Sequence, residues 1–190
     1  MQASLFRSIA VSALLIISSG SIARAQEYVP PIKPAPTGKS PGVKVKLLST
    51  NGQTKTYAVI FSKGDEVVSG LTEFAQKYKV KSAHYTGIGD AMSAKVGWYD
   101  YGRKMFKVIP ISKPSEVTSL IGDIAVFNGK PVAHTHINVA TEDGITHGGH
   151  LLELIIGPTL EVIVTVEPTP MYKRLNQEFN AGIIDPALEK

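Results

Sequence analysis

From residue 80 onward the chain alternates apolar and polar side chains with a period of two, and this pattern confines it to a fold built on strands. Residues 81–87, 94–100, 104–111, 116–127, 132–140, 151–156 and 160–166 each read as a strand. Turn signals separate them at Tyr101-Gly102-Arg103, at Asn128-Gly129 and at Gly157-Pro158, with a loop rich in Gly, Asp and His before Leu151. Gly122 is expected to break its strand, and Gly87 and Gly89 mark a kink or a close backbone approach. Strands joined by short turns pair antiparallel.

The segment before residue 80 adds a hairpin and a helix. Residues 43–47 alternate apolar and basic as in a half-buried strand, Asn51-Gly52 is a hairpin turn, and 56–61 form the return strand. Val68, Leu71, Phe74, Ala75 and Tyr78 recur at helical spacing, which predicts an amphipathic helix over 66–78 with Asp65 as its N-cap. The fold class is α+β: a mostly antiparallel sheet in a single compact domain.

Residues 1–25 have the layout of an export signal. Arg7 supplies a positive start, residues 9–17 are an apolar run, and Ala23-Arg24-Ala25 is a small-x-small cleavage site. Nine apolar residues fall well short of the roughly 20 that span a bilayer. The expected location is therefore the periplasm or the outside medium, with the mature chain free of the membrane. Residues 26–42 hold five prolines and read as an extended linker, which leaves 43–190 as the domain.

Charge and cysteine content narrow the function. The chain has 20 bases; Arg7 and Arg24 lie in the export signal, which holds no acid, so 18 bases face 16 acids in the remainder. That surplus is too small to indicate a nucleic-acid binder by charge alone. With no cysteine in the chain, disulfides and thiolate ligands are both excluded. Any metal site must use His, Asp or Glu.

Four of the five histidines fall in one short stretch: His134 and His136 two apart, then His147 and His150 around Gly148-Gly149. Residues two apart on a strand share a face, so His134 and His136 project side by side. His150, where the glycine pair permits close approach, can complete a three-histidine set of the kind that holds a divalent ion, zinc being the expected one. Alternatively, a His-x-His pair simply lines a solvated strand face. His147 reads as exposed, and His84 as structural on its own strand. Glu161, within a strand, is a candidate fourth ligand or catalytic acid/base, or else a strand-edge carboxylate facing water. Glu142 and Asp143 read as turn residues. A phosphate-binding glycine loop, a G-x-S-x-G elbow and an aromatic-basic platform are all missing.

The run from Glu116 to Ala125, Pro131 to His136, Gly148-Gly149-His150-Leu151 and Leu160-Glu161-Val162 together resemble the PPC (plants and prokaryotes conserved) domain. The likeness extends over about 57–185 and includes Thr86-Gly87-Ile88-Gly89 and Tyr172-Lys173-Arg174-Leu175. The resemblance implies an antiparallel sheet with flanking helices, a homotrimer, and His134, His136 and His150 lying together. It also implies a fold similar to acetolactate decarboxylase, whose zinc is held by histidines. Members of this family are often described as DNA-binding, and the plant ones carry AT-hooks. This chain has no Arg-Gly-Arg core and carries an export signal, which argues against nucleic acid as its partner. Three functions therefore compete: a metal protein acting on a small oxygenated molecule, a non-catalytic trimeric interaction module, and a DNA-binding protein.

Overall fold

The computed structural model describes residues 25–190, so all but the last residue of the expected export signal lies outside the described residues. Ten strands and one helix follow in the order β1 (Tyr28–Val29), β2 (Lys44–Asn51), β3 (Thr54–Ser62), α1 (Val67–Lys77), β4 (Ser82–Asp100), β5 (Met105–Ile111), β6 (Ser115–Phe127), β7 (Lys130–Ala140), β8 (Thr146–Val166), β9 (Lys173–Asn176) and β10 (Ala181–Ile184). The resemblance implied flanking helices; the described residues contain one, because no other segment has helical periodicity. That helix is too short and too polar to cross a membrane.

All strand pairs in the main sheet are antiparallel, in the order β1-β5-β4-β6-β7-β8-β3-β2, with β4 also paired to β8. The extra pairing closes β4, β6, β7 and β8 into a circuit. It is possible because β4 and β8 are far longer than the sequence pattern suggested. β4 runs unbroken through Gly87 and Gly89, and β8 runs unbroken from Thr146 through Gly157-Pro158 to Val166. The glycines absorb irregularities in register instead of ending strands: the β4–β6 register shifts between Gly87 and Gly89. A Cβ on Gly89 would strike the Thr159 carbonyl, so close approach to β8 demands glycine there. Gly122 likewise lies within a continuous β6, opposite Thr135 and Tyr85.

The sheet's buried side packs on α1, which faces β7 and β8. Val67, Leu71, Phe74 and Ala75 of the helix meet Val59, Phe61, Leu120, Ile137, Val139, Leu154 and Leu160 in one core. The helix is capped by Glu66, not by Asp65 as predicted. The buried Glu66 carboxylate accepts from the Val68 and Ser69 N–H groups at 3.1 and 2.8 Å, and from Leu154 N–H at 3.3 Å. Asp65, one residue earlier, accepts instead from Ser62 N–H at 2.8 Å and Gly42 N–H at 2.9 Å.

The stretch expected to be a loose linker is therefore fastened at both ends. Gly42 and Lys39 are held at the start of α1, and Ser40 is buried against Glu66. At the other end, Tyr28–Val29 pairs with Phe106 and Lys107 of β5. Prolines do not prevent this, since backbone carbonyls and the non-proline N–H groups supply the contacts.

Candidate metal centre

His134 and His136 leave β7 on its exposed side, while Thr135 between them points into the core. Tyr85 of β4 fixes that alternation from beneath. Its buried hydroxyl lies 2.6 Å from Thr135 Oγ1 and donates to the His134 carbonyl at 3.2 Å. Burial pushes the Tyr85 phenol strongly upward, so it stays a neutral donor. The ring passes over Gly122, where any Cβ would strike both the His134 carbonyl and the Tyr85 hydroxyl.

His150 arrives at the far end of the pairing between β7 and β8, directly opposite His136. The glycine pair before it allows the approach. A Cβ on Gly148 would collide with the Asn138 side chain, and one on Gly149 would sit 2.9 Å from the Gly97 carbonyl. The three imidazoles are mutual neighbours, with ring centroids 5.2 to 5.5 Å apart. One nitrogen from each lies within 4.8 Å of the others, a spacing that side-chain rotation closes onto a single ion.

The donor set fits a borderline-soft divalent metal. His150 Nδ1 is buried and has no hydrogen-bond partner. A buried nitrogen left unpaired costs about 1–3 kcal/mol, and a metal ion would satisfy it. Burial first, and then the neighbouring His134 and His136, push the His150 imidazole down to about 3. Burial and His134 also lower His136. Both rings are thereby neutral near pH 7, the form that ligates.

Asp123 escaped the sequence reading, because only the register reveals it. It stands on β6 between His84 of β4 and His134 of β7. Its Oδ2 is 3.4 Å from His134 Nδ1, and its Oδ1 is 3.2 Å from Lys173 Nζ. Burial pushes the Asp123 carboxyl up, but the neighbouring His134 and Lys173 outweigh it and hold the group below the usual carboxylate range. Phe106, also unpredicted, stacks on His150.

The remaining candidates lie elsewhere. His147 pairs with Val139, three residues before His150 and so on the other face of the strand, and it is exposed. His84 is exposed at the surface, 3.8 Å from Glu167. Glu161 is exposed on β8 opposite Ile60 and Ile88. It is not among the residues whose donor atoms cluster with the three histidines in this chain. Its carboxylate escapes the cost of burial because it faces water. Glu142 and Asp143 do occupy the turn before β8, where Asp143 accepts from Ile145 N–H.

An antiparallel sheet closed on itself, wrapped on one helix and carrying three converging histidines, defines a single-domain protein with a candidate metal centre. The family model for the Plants and Prokaryotes Conserved (PCC) domain matches residues 48–167, and the chain belongs to that family. Among solved structures, a provisionally named DNA-binding protein from Ralstonia eutropha JMP134 is 33% identical, with a TM-score of 0.64 over 68% of this chain and 90% of that one. A plant- and prokaryote-conserved protein from Pyrococcus horikoshii is 26% identical, with a TM-score of 0.65 over 74% of this chain and 100% of that one. A protein from Archaeoglobus fulgidus described as metal-containing is 22% identical, with a TM-score of 0.64 over 75% of this chain and 96% of that one. Comparison with curated proteins returns no match.

Proposed function

We propose that this is an exported, homotrimeric metal protein in which His134, His136 and His150 hold a zinc ion and present it to a small oxygenated molecule. The observation that carries the reading is the convergence of one nitrogen from each of three histidines within 4.8 Å; His150 in addition has a buried Nδ1 without a hydrogen-bond partner. The Archaeoglobus fulgidus protein of the same fold, described as metal-containing, agrees with it. Zinc bound by three protein ligands keeps a position open and supplies Lewis acidity to a carbonyl or a water. The chain's own residues orient the donors: Tyr85 holds the backbone between His134 and His136, and Phe106 holds the plane of His150. Glu161 lies outside the three-histidine cluster of one chain.

Trimerisation is supported by an uncovered apolar strip beside the centre. Ile88, Ile121 and Ile163 are exposed. Register places Ile121 opposite both Thr86 and His136, and Ile163 opposite Thr86, so these residues share the histidines' face. Exposed apolar patches of this kind mark association surfaces.

Elemental analysis of the purified protein tests the centre. About one zinc per chain is expected, lost in the double variant His134→Ala/His136→Ala and retained in Glu161→Gln. A wild type that stays empty after incubation with zinc overturns the metal reading and leaves the trimeric interaction module. Light scattering decides the assembly, and a stable monomer refutes the trimer. The name of the Ralstonia eutropha relative favours a DNA-binding reading as the second choice. It requires duplex affinity that falls steeply with salt.

A further inference from the structure

Asp123 and Lys173 have no role in the donor set itself, yet they form a chain of contacts that ends on it. Lys173 starts β9 in the tail, and its side chain is only 5% exposed. An ammonium so buried is costly unless paired. Its ion-pair partner among the described residues is Asp123. The tail is pinned to bring it there: Val126 N–H donates to the Met171 carbonyl at 2.8 Å, Met171 N–H donates to the Lys81 carbonyl at 3.2 Å, and Tyr172 bridges to Val126. Lys173 Nζ lies beside Asp123 Oδ1 but off the line of a directed hydrogen bond, so the contact is one of charge. The second carboxylate oxygen faces His134 Nδ1.

A histidine ligand held at one nitrogen by a carboxylate is fixed in tautomer and ring orientation, and it becomes a better donor at the other. We propose that Asp123 is a positioning residue for the metal centre, engaging His134 through Nδ1 so that Nε2 is the nitrogen offered to the ion, and that Lys173 holds Asp123 in place. The proposal rests on the three-histidine reading. It makes the tail hairpin β9–β10, which lies beyond residues 48–167 of the family match, part of what builds the site.

The test separates the two layers. In metal-free protein, nitrogen-15 imidazole spectra are expected to show His134 as the Nδ1–H tautomer in the wild type, shifting toward Nε2–H in Asp123→Ala. Zinc titration should then show an affinity loss of about 10- to 100-fold in Asp123→Asn and Asp123→Ala. Lys173→Met should weaken binding as well, and Lys173→Arg should restore it. Circular dichroism confirms that each variant is folded; should Asp123→Ala not fold, the isosteric Asp123→Asn and the Lys173 pair carry the same readouts. Wild-type zinc affinity in the folded Asp123 variants, or an unchanged His134 tautomer, overturns the proposal. A wild type that takes no zinc defeats the metal reading instead, and the metal-free tautomer measurement still decides whether Asp123 positions His134.

Discussion

Phe106 lies flat on His150, with ring centroids 4.3 Å apart and planes within 1° of parallel. The contact joins β5 to the start of β8 and sets the plane in which His150 presents its nitrogen. A Cβ on Gly97, between them on β4, would sit 2.9 Å from the Phe106 ring, so the glycine makes room for the stack. Replacing the ring by an aliphatic side chain should loosen the ligand without unfolding the sheet. Aromatic stacking contributes about 1 kcal/mol beyond buried area. Phe106→Leu is therefore expected to weaken zinc binding about fivefold, read by competition with a chromophoric chelator, with far-ultraviolet circular dichroism unchanged.

The metal-free protein should lose stability in acid through His150 and His136. Both have folded-state pKa values below the ordinary histidine value, His150 at about 3 against 6.5 when unfolded. Between those values the unfolded chain binds protons that the folded chain does not. Stability is then at its full value above pH 6.5 and falls progressively as the pH drops toward 3. Thermal melts at pH 7, 5.5 and 4.5 check this. The decline should be shallower in His150→Gln, where the group that must stay neutral is gone. An equal slope in both proteins would count against His150 as the cause.

Gly122 is expected to tolerate no side chain, since a Cβ there strikes the His134 carbonyl and the Tyr85 hydroxyl. Overpacking of this kind costs about 1–3 kcal/mol. For a chain of this size that is a fall of several degrees in Tm. Gly122→Ala should also reduce zinc uptake, because the displaced strand carries His134. Gly102→Ala is the control: the nearest atom to its Cβ is Asp100 Oδ1 at 3.4 Å, and no loss is expected.

Glu66 ties the start of α1 to β8 by accepting from Val68, Ser69 and Leu154. Glu66→Ala removes a helix cap and leaves three N–H groups without that partner, a loss of about 2 kcal/mol. Chemical denaturation should show it as a lower midpoint with an unchanged slope. Zinc affinity of the folded fraction should not move, since the cap lies on the core side of the sheet, away from the histidines.

Much of this molecule is readable from local pattern. The alternation after residue 80, the Asn128-Gly129 turn and the single amphipathic helix appear where the sequence placed them, and the first hairpin turn lies one residue later than expected, at Gly52-Gln53. These signals are local, because side-chain periodicity and turn chemistry act over a few residues. Strand ends at glycine were misjudged for the opposite reason. Gly122 and Gly157 look like breaks in one dimension, yet both lie inside continuous strands, Gly122 where the Tyr85 ring and the His134 carbonyl leave no room for a Cβ; at Gly87 and Gly89 the close backbone approach expected from the sequence is what the structure has.

The histidine cluster divides along the same line. The sequence alone determined that His134 and His136 share a face and that glycines before His150 permit close approach, because both follow from chain geometry within a few residues. Only the tertiary structure decided that His150 pairs opposite His136, that Glu161 lies outside the histidine cluster of one chain, and that Asp123 and Lys173 meet behind His134. Those placements depend on the register between strands and on where the tail docks. Register is a property of pairs of segments distant in sequence, set by which faces can be buried together.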